Sequence, residues 1–295
     1  MQTCVIFNPS ARGEKAEAFC AGLEKLFSEC VCRRTGQVGH ARDLAAQAVQ
    51  DGFQTIIAAG GDGTVNEVVN GIGDVRGGFD STHFGVLPLG TVNVFARELG
   101  LPRHPARAIK VLRKGRTKTI DLGHVEYKVD GGLRQRFFIQ LAGAGLDSRS
   151  IELVNWELKK KLGPIAYLVA GCKAMSETQP VIVAHGETPV SGEMVLIGNG
   201  RFYGGSFAVF PAASLQDGLL DVCVLPKVTW TSLMATAPGL LTGRLAELSS
   251  AVHFSRRSVT LTSSSRVILQ LDGENACELP ATLSIRPKAL HVIVP

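Results

Sequence analysis

The sequence contains no CxxC pair, no HExxH or other close set of histidines, no GxxxxGK[ST] loop, and no repeat or low-complexity tract. It also has no uninterrupted apolar run of about 18 residues, the length a membrane-spanning helix needs. Residues 1–9 lack the basic region and apolar core of a secretory signal. These absences point to a cytoplasmic protein whose contact with a membrane, if any, is peripheral on the inner face. The seven cysteines, Cys4, Cys20, Cys30, Cys32, Cys172, Cys223 and Cys277, are odd in number and scattered, as expected of reduced thiols rather than a disulfide framework. Without clustered ligands a zinc site has no support. An excess of 31 basic over 26 acidic residues is too small to indicate nucleic-acid binding, and suits an anionic ligand or surface.

What is present describes a globular enzyme. A length of 295 residues exceeds the usual size of one hydrophobic core, and 45% hydrophobic with 19% charged residues is far from the composition of a disordered chain. The first 120 residues or so alternate short apolar runs (3–7, 31–35, 55–59 and 84–89) with segments of helical periodicity. Examples of the latter are Phe19, Leu23, Leu26 and Phe27; Ala41, Leu44, Ala45, Ala48 and Val49; Val65, Val68, Val69 and Ile72; and Val92, Phe95, Ala96 and Leu99. Such β-α alternation predicts a three-layer α/β domain with a mostly parallel sheet. Beyond residue 122 the texture becomes short runs (136–141, 181–184, 194–197, 219–225, 258–261, 267–271, 281–285 and 290–294) separated by Gly, Pro and Ser, with helical stretches near 148–175 and 228–246. This second region, 123–295, is expected to be an antiparallel β-sandwich.

Four segments fall at the carboxyl ends of the expected parallel strands: Asn8 to Gly13, Thr35, Gly60-Gly61-Asp62-Gly63-Thr64, and Leu89 to Asn93. Ligands of open α/β sheets bind at that rim. The Gly-rich segment leads directly into a helix, where bare backbone N–H groups and the positive helix end can meet a phosphate. Taken alone it is more simply a strand-to-helix connection. Asp62 would repel phosphates unless a cation lies between them, which implies magnesium; its plainer role is a turn or cap residue. Asn66 and Asn70 are placed on a polar helix face, with Asn66 in the first turn and within reach of a ligand. Asn93 and Arg97 are likewise i, i+4 on the fourth unit's helix, Arg97 as a solvated cation or a phosphate or headgroup contact.

The segments Asn8-Pro9, Gly60 to Glu67 and Leu87 to Arg97 resemble, in order and spacing, the catalytic motifs of the diacylglycerol kinase and sphingosine kinase superfamily. The likeness continues through Ile120-Asp121-Leu122, Gly143 to Asp147, Gly204-Gly205, Asp217 to Asp221 and Asp272-Gly273-Glu274. It is greatest to soluble bacterial lipid kinases. The resemblance implies ATP in a cleft between the domains, at Asn8, Thr35, Gly60, Gly61, Asp62, Gly63, Thr64, Val65, Asn66 and Thr91. It implies a catalytic pair at Asp272 and Glu274, with Glu274 the base, assisted by Asp62 and magnesium. A structural metal would be held by Asp217 with the carbonyls of Ser214 and Leu219, and Asp121 would join the metal and water network.

Alternation along an extended segment would put Asp272 and Glu274 on one side; from the residues alone, Asp272-Gly273 is a hairpin turn. Val94 stands where many members have aspartate, which alters that network, and Ala11-Arg12 replaces the commoner Ser-Gly. Lys159-Lys160-Lys161 before the apolar run 165–170 are cations for lipid headgroups, or a solvated face before a core helix. The expected activity is a lipid kinase. An NAD-kinase-like enzyme, sharing the Gly-Gly-Asp-Gly loop, and a silent nucleotide- or lipid-binding regulator remain alternatives. Neither the lipid nor the oligomeric state is legible.

Overall fold

The computed structural model describes residues 2–11, 22, 30–153, 165–205, 207–231 and 251–295. The expected helix at 14–30, the Arg12-Gly13 and Lys159 to Lys161 segments, and most of the 228–246 stretch lie outside these residues. Two compact units are resolved: Met1–Leu122 with Pro287–Pro295, and Gly123–Arg286. The division after Leu122 coincides with the change of sequence texture. The closing segment does not follow that texture: residues 287–295 run with the first unit, whereas the pattern of runs assigns them to the second.

The first unit alternates strand and helix: β1 (Thr3–Phe7), β2 (Cys30–Arg34), α1 (His40–Gln50), β3 (Thr55–Gly60), α2 (Asp62–Asp74), α3 (Gly78–Ser81), β4 (His83–Pro88), α4 (Val94–Glu98) and α5 (Pro105–Lys114). The strands pair in parallel in the order β2-β1-β3-β4. Val5, Phe7, Ile57, Ala59 and Leu87 form a core with Ala108, Ile109 and Leu112 of α5 and with Ile293. The alternate residues Cys4, Ile6, Ile56 and Ala58 are equally buried, so the sheet is covered on both faces, as parallel sheets require. The valine stripe of α2 is buried as its period predicts, each side chain contributing about 1.5–3 kcal/mol. α1 lies against α2, and Glu67 caps it by accepting the N–H groups of Gly39 (2.9 Å) and Ala41 (3.0 Å).

The second unit contains β5 (Thr117–Val129, which enters it at Gly123), β6 (Gly132–Phe138), β7 (Leu141–Gly145), α6 (Leu146–Glu152), α7 (Ile165–Met175), β8 (Ile182–His185), β9 (Val190–Gly192), β10 (Met194–Gly198), β11 (Phe202–Tyr203), β12 (Phe207–Ala208), β13 (Leu220–Leu225), β14 (Val252–Arg256), β15 (Ser258–Ser263), β16 (Ile268–Leu271), β17 (Glu274–Glu278) and β18 (Ala281–Ile293, which leaves it after Arg286). One antiparallel sheet has the order β14-β13-β10-β7-β16-β17. Facing side chains from it and from β5, β6, β8, β15 and β18 fill a single core that includes Val125, Phe138, Ile182, Val195, Val222, Leu261, Leu269 and Leu283. This is the antiparallel second domain that the spacing of the runs predicts.

Several details differ from the sequence pattern. The runs 281–285 and 290–294 belong to one strand, β18, and the described part of 148–175 is two helices, α6 and α7. α5 goes unannounced, although Pro105 at its start and Gly115 at its end are ordinary helix boundary residues. Cys4, Cys30, Cys172, Cys223 and Cys277 are free thiols, but Cys32 is disulfide-bonded, so the expectation of reduced cysteines throughout does not hold there.

The α1–α2 contact depends on Gly71. A Cβ at this position would run into the Arg42 carbonyl oxygen and come within 2.8 Å of the Ala45 Cβ. In an open helix Gly→Ala is stabilising; here Gly71→Ala is expected to destabilise the protein by about 1–3 kcal/mol. Thermal unfolding followed by circular dichroism checks the sign.

Candidate functional site

The carboxyl ends of β1, β2, β3 and β4 form one rim of the first unit, and backbone bonds hold the segments leaving it together. The N–H of Asn8 donates to the Ala59 carbonyl (3.0 Å), that of Thr35 to Phe7 (2.9 Å) and that of Leu89 to Gly60 (2.9 Å). Asn8 and Leu89-Gly90 therefore adjoin the end of β3, and Thr35 sits beside the end of β1. The Asn8 side-chain amide donates to Thr64 Oγ1 at 3.2 Å, tying the first loop to the start of α2. A Cβ on Gly60 would lie 2.6 Å from the Thr64 Cβ, and one on Gly90 would lie 2.6 Å from the Gly61 Cα. Glycine is thus required where the third and fourth loops touch.

No side chain caps the N-terminus of the 13-residue α2, which begins at Asp62 behind Gly61 in extended conformation. Its opening N–H groups and the positive helix end are disposed for an anion. Asp62 reaches across to the neighbouring loop, where its Oδ1 accepts the N–H of Phe95 at 3.3 Å. Asn93 is not helical: with φ 54 it precedes α4, its Oδ1 accepting the Gly90 N–H (3.0 Å) and its amide donating to the Gly90 carbonyl (2.6 Å). Thr91 is exposed beside this latch and Val65 is buried in the helix stripe.

Asn66 differs from expectation. It is 1% exposed rather than on an open polar face, and its carbonyl and Oδ1 accept from the Asn70 amide (3.0 and 3.2 Å). The valine stripe is too narrow to account for all the burial of α2. Asp121 on β5 is also buried (1% exposed), its Oδ1 accepting the N–H of Lys288 at 2.6 Å.

In the second unit, the strand register brings the remaining candidates to one edge of the six-stranded sheet. Gly198 pairs with both Asp221 and Leu141, Leu271 with Ala142, and Glu274 with Leu271. The loop carrying Ser214, Asp217 and Leu219 before β13 therefore shares that edge with the Asp272 to Glu274 turn. Asp272 and Gly273 have φ of 50 and 90 and link β16 to β17 as a two-residue hairpin turn. The expectation that alternation aligns Asp272 with Glu274 is corrected, because a turn and not an extended segment joins them. The Asp272 carboxylate instead accepts three backbone N–H groups, of Ile139 (2.8 Å), Gln140 (2.8 Å) and Leu141 (3.1 Å). Glu274, the first residue of β17, is half-buried.

Asp217 is exposed and its Oδ1 accepts the Leu219 N–H at 3.0 Å. The Asp217 N–H in turn lies 3.5 Å from the Ser214 carbonyl, so Ser214, Asp217 and Leu219 belong to one tight bend. Among the described residues there is no group of three or more His, Cys, Asp and Glu that could hold a metal.

Sequence reasoning assigned no role to Asp147, Gln270 or Tyr203. The Asp147 carboxylate is 4% exposed; Oδ1 accepts the Tyr203 hydroxyl and Oδ2 the Gln270 amide at 2.8 Å. Burial pushes its carboxyl above the ordinary range, and the two donors partly oppose that. The Gln270 Oε1 in turn accepts the Gly273 N–H at 2.8 Å. A lone Asp in the Gly143 to Asp147 run carries no sign of this, since its partners lie 56 and 123 residues away.

Residues 2–125 match the diacylglycerol kinase catalytic domain, and residues 140–294 match the YegS C-terminal NAD kinase beta sandwich-like domain. A Pseudomonas aeruginosa (strain UCBPP-PA14) protein named "Probable lipid kinase YegS-like" is 34% identical over 99% of this chain and 93% of its own length. The chain belongs to the diacylglycerol kinase family. A Bacillus subtilis (strain 168) relative named diacylglycerol kinase is 30% identical, covering 99% of this chain and 95% of the relative. The fold agrees with a crystal structure of a diacylglycerol kinase from Bacillus anthracis str. Sterne, with a TM-score of 0.76 at 23% identity, covering 100% of this chain and 97% of that one. Members of this family are lipid kinases, phosphotransferases that use ATP. Among the described residues no helix is long and apolar enough to cross a membrane.

Asp272 is therefore a structural clamp in the diacylglycerol kinase fold, whatever else it does. Asp272→Ala would leave three N–H groups without their acceptor and is expected to cost about 2–4 kcal/mol, whereas Glu274→Gln should change stability by less than about 0.5 kcal/mol. Urea unfolding of the two variants measures the difference.

Proposed function

We propose that this protein transfers the γ-phosphate of ATP to a hydroxyl of a lipid such as diacylglycerol, the phosphates resting on the Gly60 to Thr64 segment. The uncapped N-terminus of α2 behind two glycines is the observation that carries this reading. It supplies backbone donors and half a positive charge without a side chain in the way. The full-length relationship to named lipid kinases supplies the acceptor class.

Asn8, Thr35 and Thr91 border the segment and would contact the nucleotide, with Val65 and Asn66 shaping α2 behind it. Asp62, in the first helical turn, fits magnesium at the phosphates. Asp217 with the Ser214 and Leu219 carbonyls fits a second, structural magnesium. Bound magnesium would neutralise charge on the phosphate oxygens and the departing diphosphate. Asp121 is held by the Lys288 backbone and supports the same region of the first unit.

In the transfer, the lipid hydroxyl oxygen forms a bond to the γ-phosphorus. The bond from that phosphorus to the β–γ bridging oxygen breaks, its electron pair leaves with ADP, and the hydroxyl proton passes to the Glu274 carboxylate. Asp272 holds the turn on which Glu274 stands. Peripheral contact with a membrane surface follows from the acceptor, which does not leave the bilayer readily.

Incubating the protein with labelled ATP, magnesium and a panel of lipids, with NAD as a parallel acceptor, should label one or more lipids and not NAD. Chelating magnesium should abolish labelling, and restoring it should recover the activity. Glu274→Gln should lower kcat by about 100- to 10,000-fold while ATP affinity stays close to wild type. Gly90→Ala, which drives a methyl into Gly61, should raise the KM for ATP by about tenfold. Labelled NAD with unlabelled lipids would overturn the lipid reading, and normal turnover by Glu274→Gln would overturn the base.

A further inference from the structure

Two residues on opposite sides grip the hairpin turn that carries Glu274. From one side, the Asp272 carboxylate collects the N–H groups of Ile139, Gln140 and Leu141. From the other, Gln270 accepts the N–H of Gly273, the peptide immediately before Glu274. Gln270 is 1% exposed and bonds at both ends, its Nε2 donating to Asp147.

The two partners of Gln270 fix the orientation of its amide. The Gly273 N–H can only donate, so Gln270 turns its oxygen to that peptide and its NH2 to Asp147 Oδ2. A flipped amide would set oxygen against oxygen at one end and donor against donor at the other. The second Asp147 oxygen accepts the Tyr203 hydroxyl, so both carboxylate oxygens are engaged. Burying a carboxylate with no cation beside it is costly. A purely structural turn needs no such device, because a short Asp-Gly hairpin closes well on its own.

We propose that Gln270, locked by Asp147 and Tyr203, is a positioning residue for the phosphoryl transfer: it fixes the Gly273 peptide and thereby the direction of Glu274. This rests on the assignment of Glu274 as the base. The chain of bonds runs Tyr203 to Asp147 to Gln270 to Gly273, crossing from β11 through the start of α6 and the end of β16 to the turn. It acts on the aim of the base and not on nucleotide binding, so its signature is a fall in kcat with substrate affinities retained.

The test compares wild type, Gln270→Leu, Gln270→Glu, Tyr203→Phe and Glu274→Gln in steady-state kinetics with ATP and an accepted lipid, alongside thermal unfolding. Gln270→Leu should lower kcat by about 10- to 100-fold at unchanged KM for ATP, and Tyr203→Phe should lower it less, in the same direction. Gln270→Glu keeps an acceptor for Gly273 but sets a second carboxylate against Asp147, an arrangement that needs a shared proton. Its kcat relative to wild type should therefore rise as pH falls, while the ratio for Gln270→Leu stays flat.

A Gln270→Leu protein of lower stability but normal kcat would overturn the proposal, as would equal losses in kcat and ATP affinity. If that variant fails to fold, Tyr203→Phe decides: its hydroxyl lies outside the turn, and an unchanged kcat would overturn the relay. Normal turnover by Glu274→Gln would remove the base and the positioning role together. A dead Glu274→Gln beside a fully active Gln270→Leu would remove the positioning role alone.

Discussion

The backbones of Gly61 and Gly90 touch, and the rim of the first unit is built around that contact. The Gly60 carbonyl accepts the N–H groups of Leu89 and Gly90 at 2.9 and 3.3 Å, so the loop leaving β3 and the loop leaving β4 become one surface. Asp62 reaches from one loop to the N–H of Phe95 in the other, and Asn93 folds the second loop back on Gly90. At Gly90 only a residue without a β-carbon permits this proximity, since a Cβ there would lie 2.6 Å from the Gly61 Cα. The same bareness leaves the start of α2 without a side-chain cap, its backbone N–H groups disposed for an anion.

The second unit meets a different requirement with different means. A two-residue hairpin turn alone is a soft mount for the side chains it carries. Asp272 and Gln270 stiffen it with four backbone hydrogen bonds between them. The register of β7, β10, β13, β16 and β17 places the Asp217 loop on the same sheet edge. Each unit thus concentrates its chemistry at strand ends, where the ladder of hydrogen bonds stops and backbone groups become available.

Much of the fold is legible because period and texture are local properties. The strands β1, β3 and β4, the helices α1 and α2, and the change near Leu122 follow from spacing alone. The nearness of Asn8 and of Leu89-Gly90 to the end of β3 is legible from strand-end logic. What escapes is non-local. The burial of Asn66, the clamp made by Asp272 and the Tyr203–Asp147–Gln270 chain depend on residues far apart in sequence. So does the return of residues 287–295, whose run of apolar side chains reads like any other strand of the second region. Asp272 and Glu274 are a case where the local hairpin signal outweighs an argument from alternation: the turn is real, and the functional meaning of both residues depends on where it sits.

β18 has a consequence for how the protein comes into being. Its end pairs with β4 at His291–His83 and Val292–Phe84, and Leu290 and Val292 are fully buried. Until the ribosome has made those residues, β4 keeps a bare edge, the kind of surface on which unfinished chains stick to one another. The portion translated first is thus among the last to be completed. The first unit therefore cannot close its sheet ahead of residues 123–286, which are made before the end of β18.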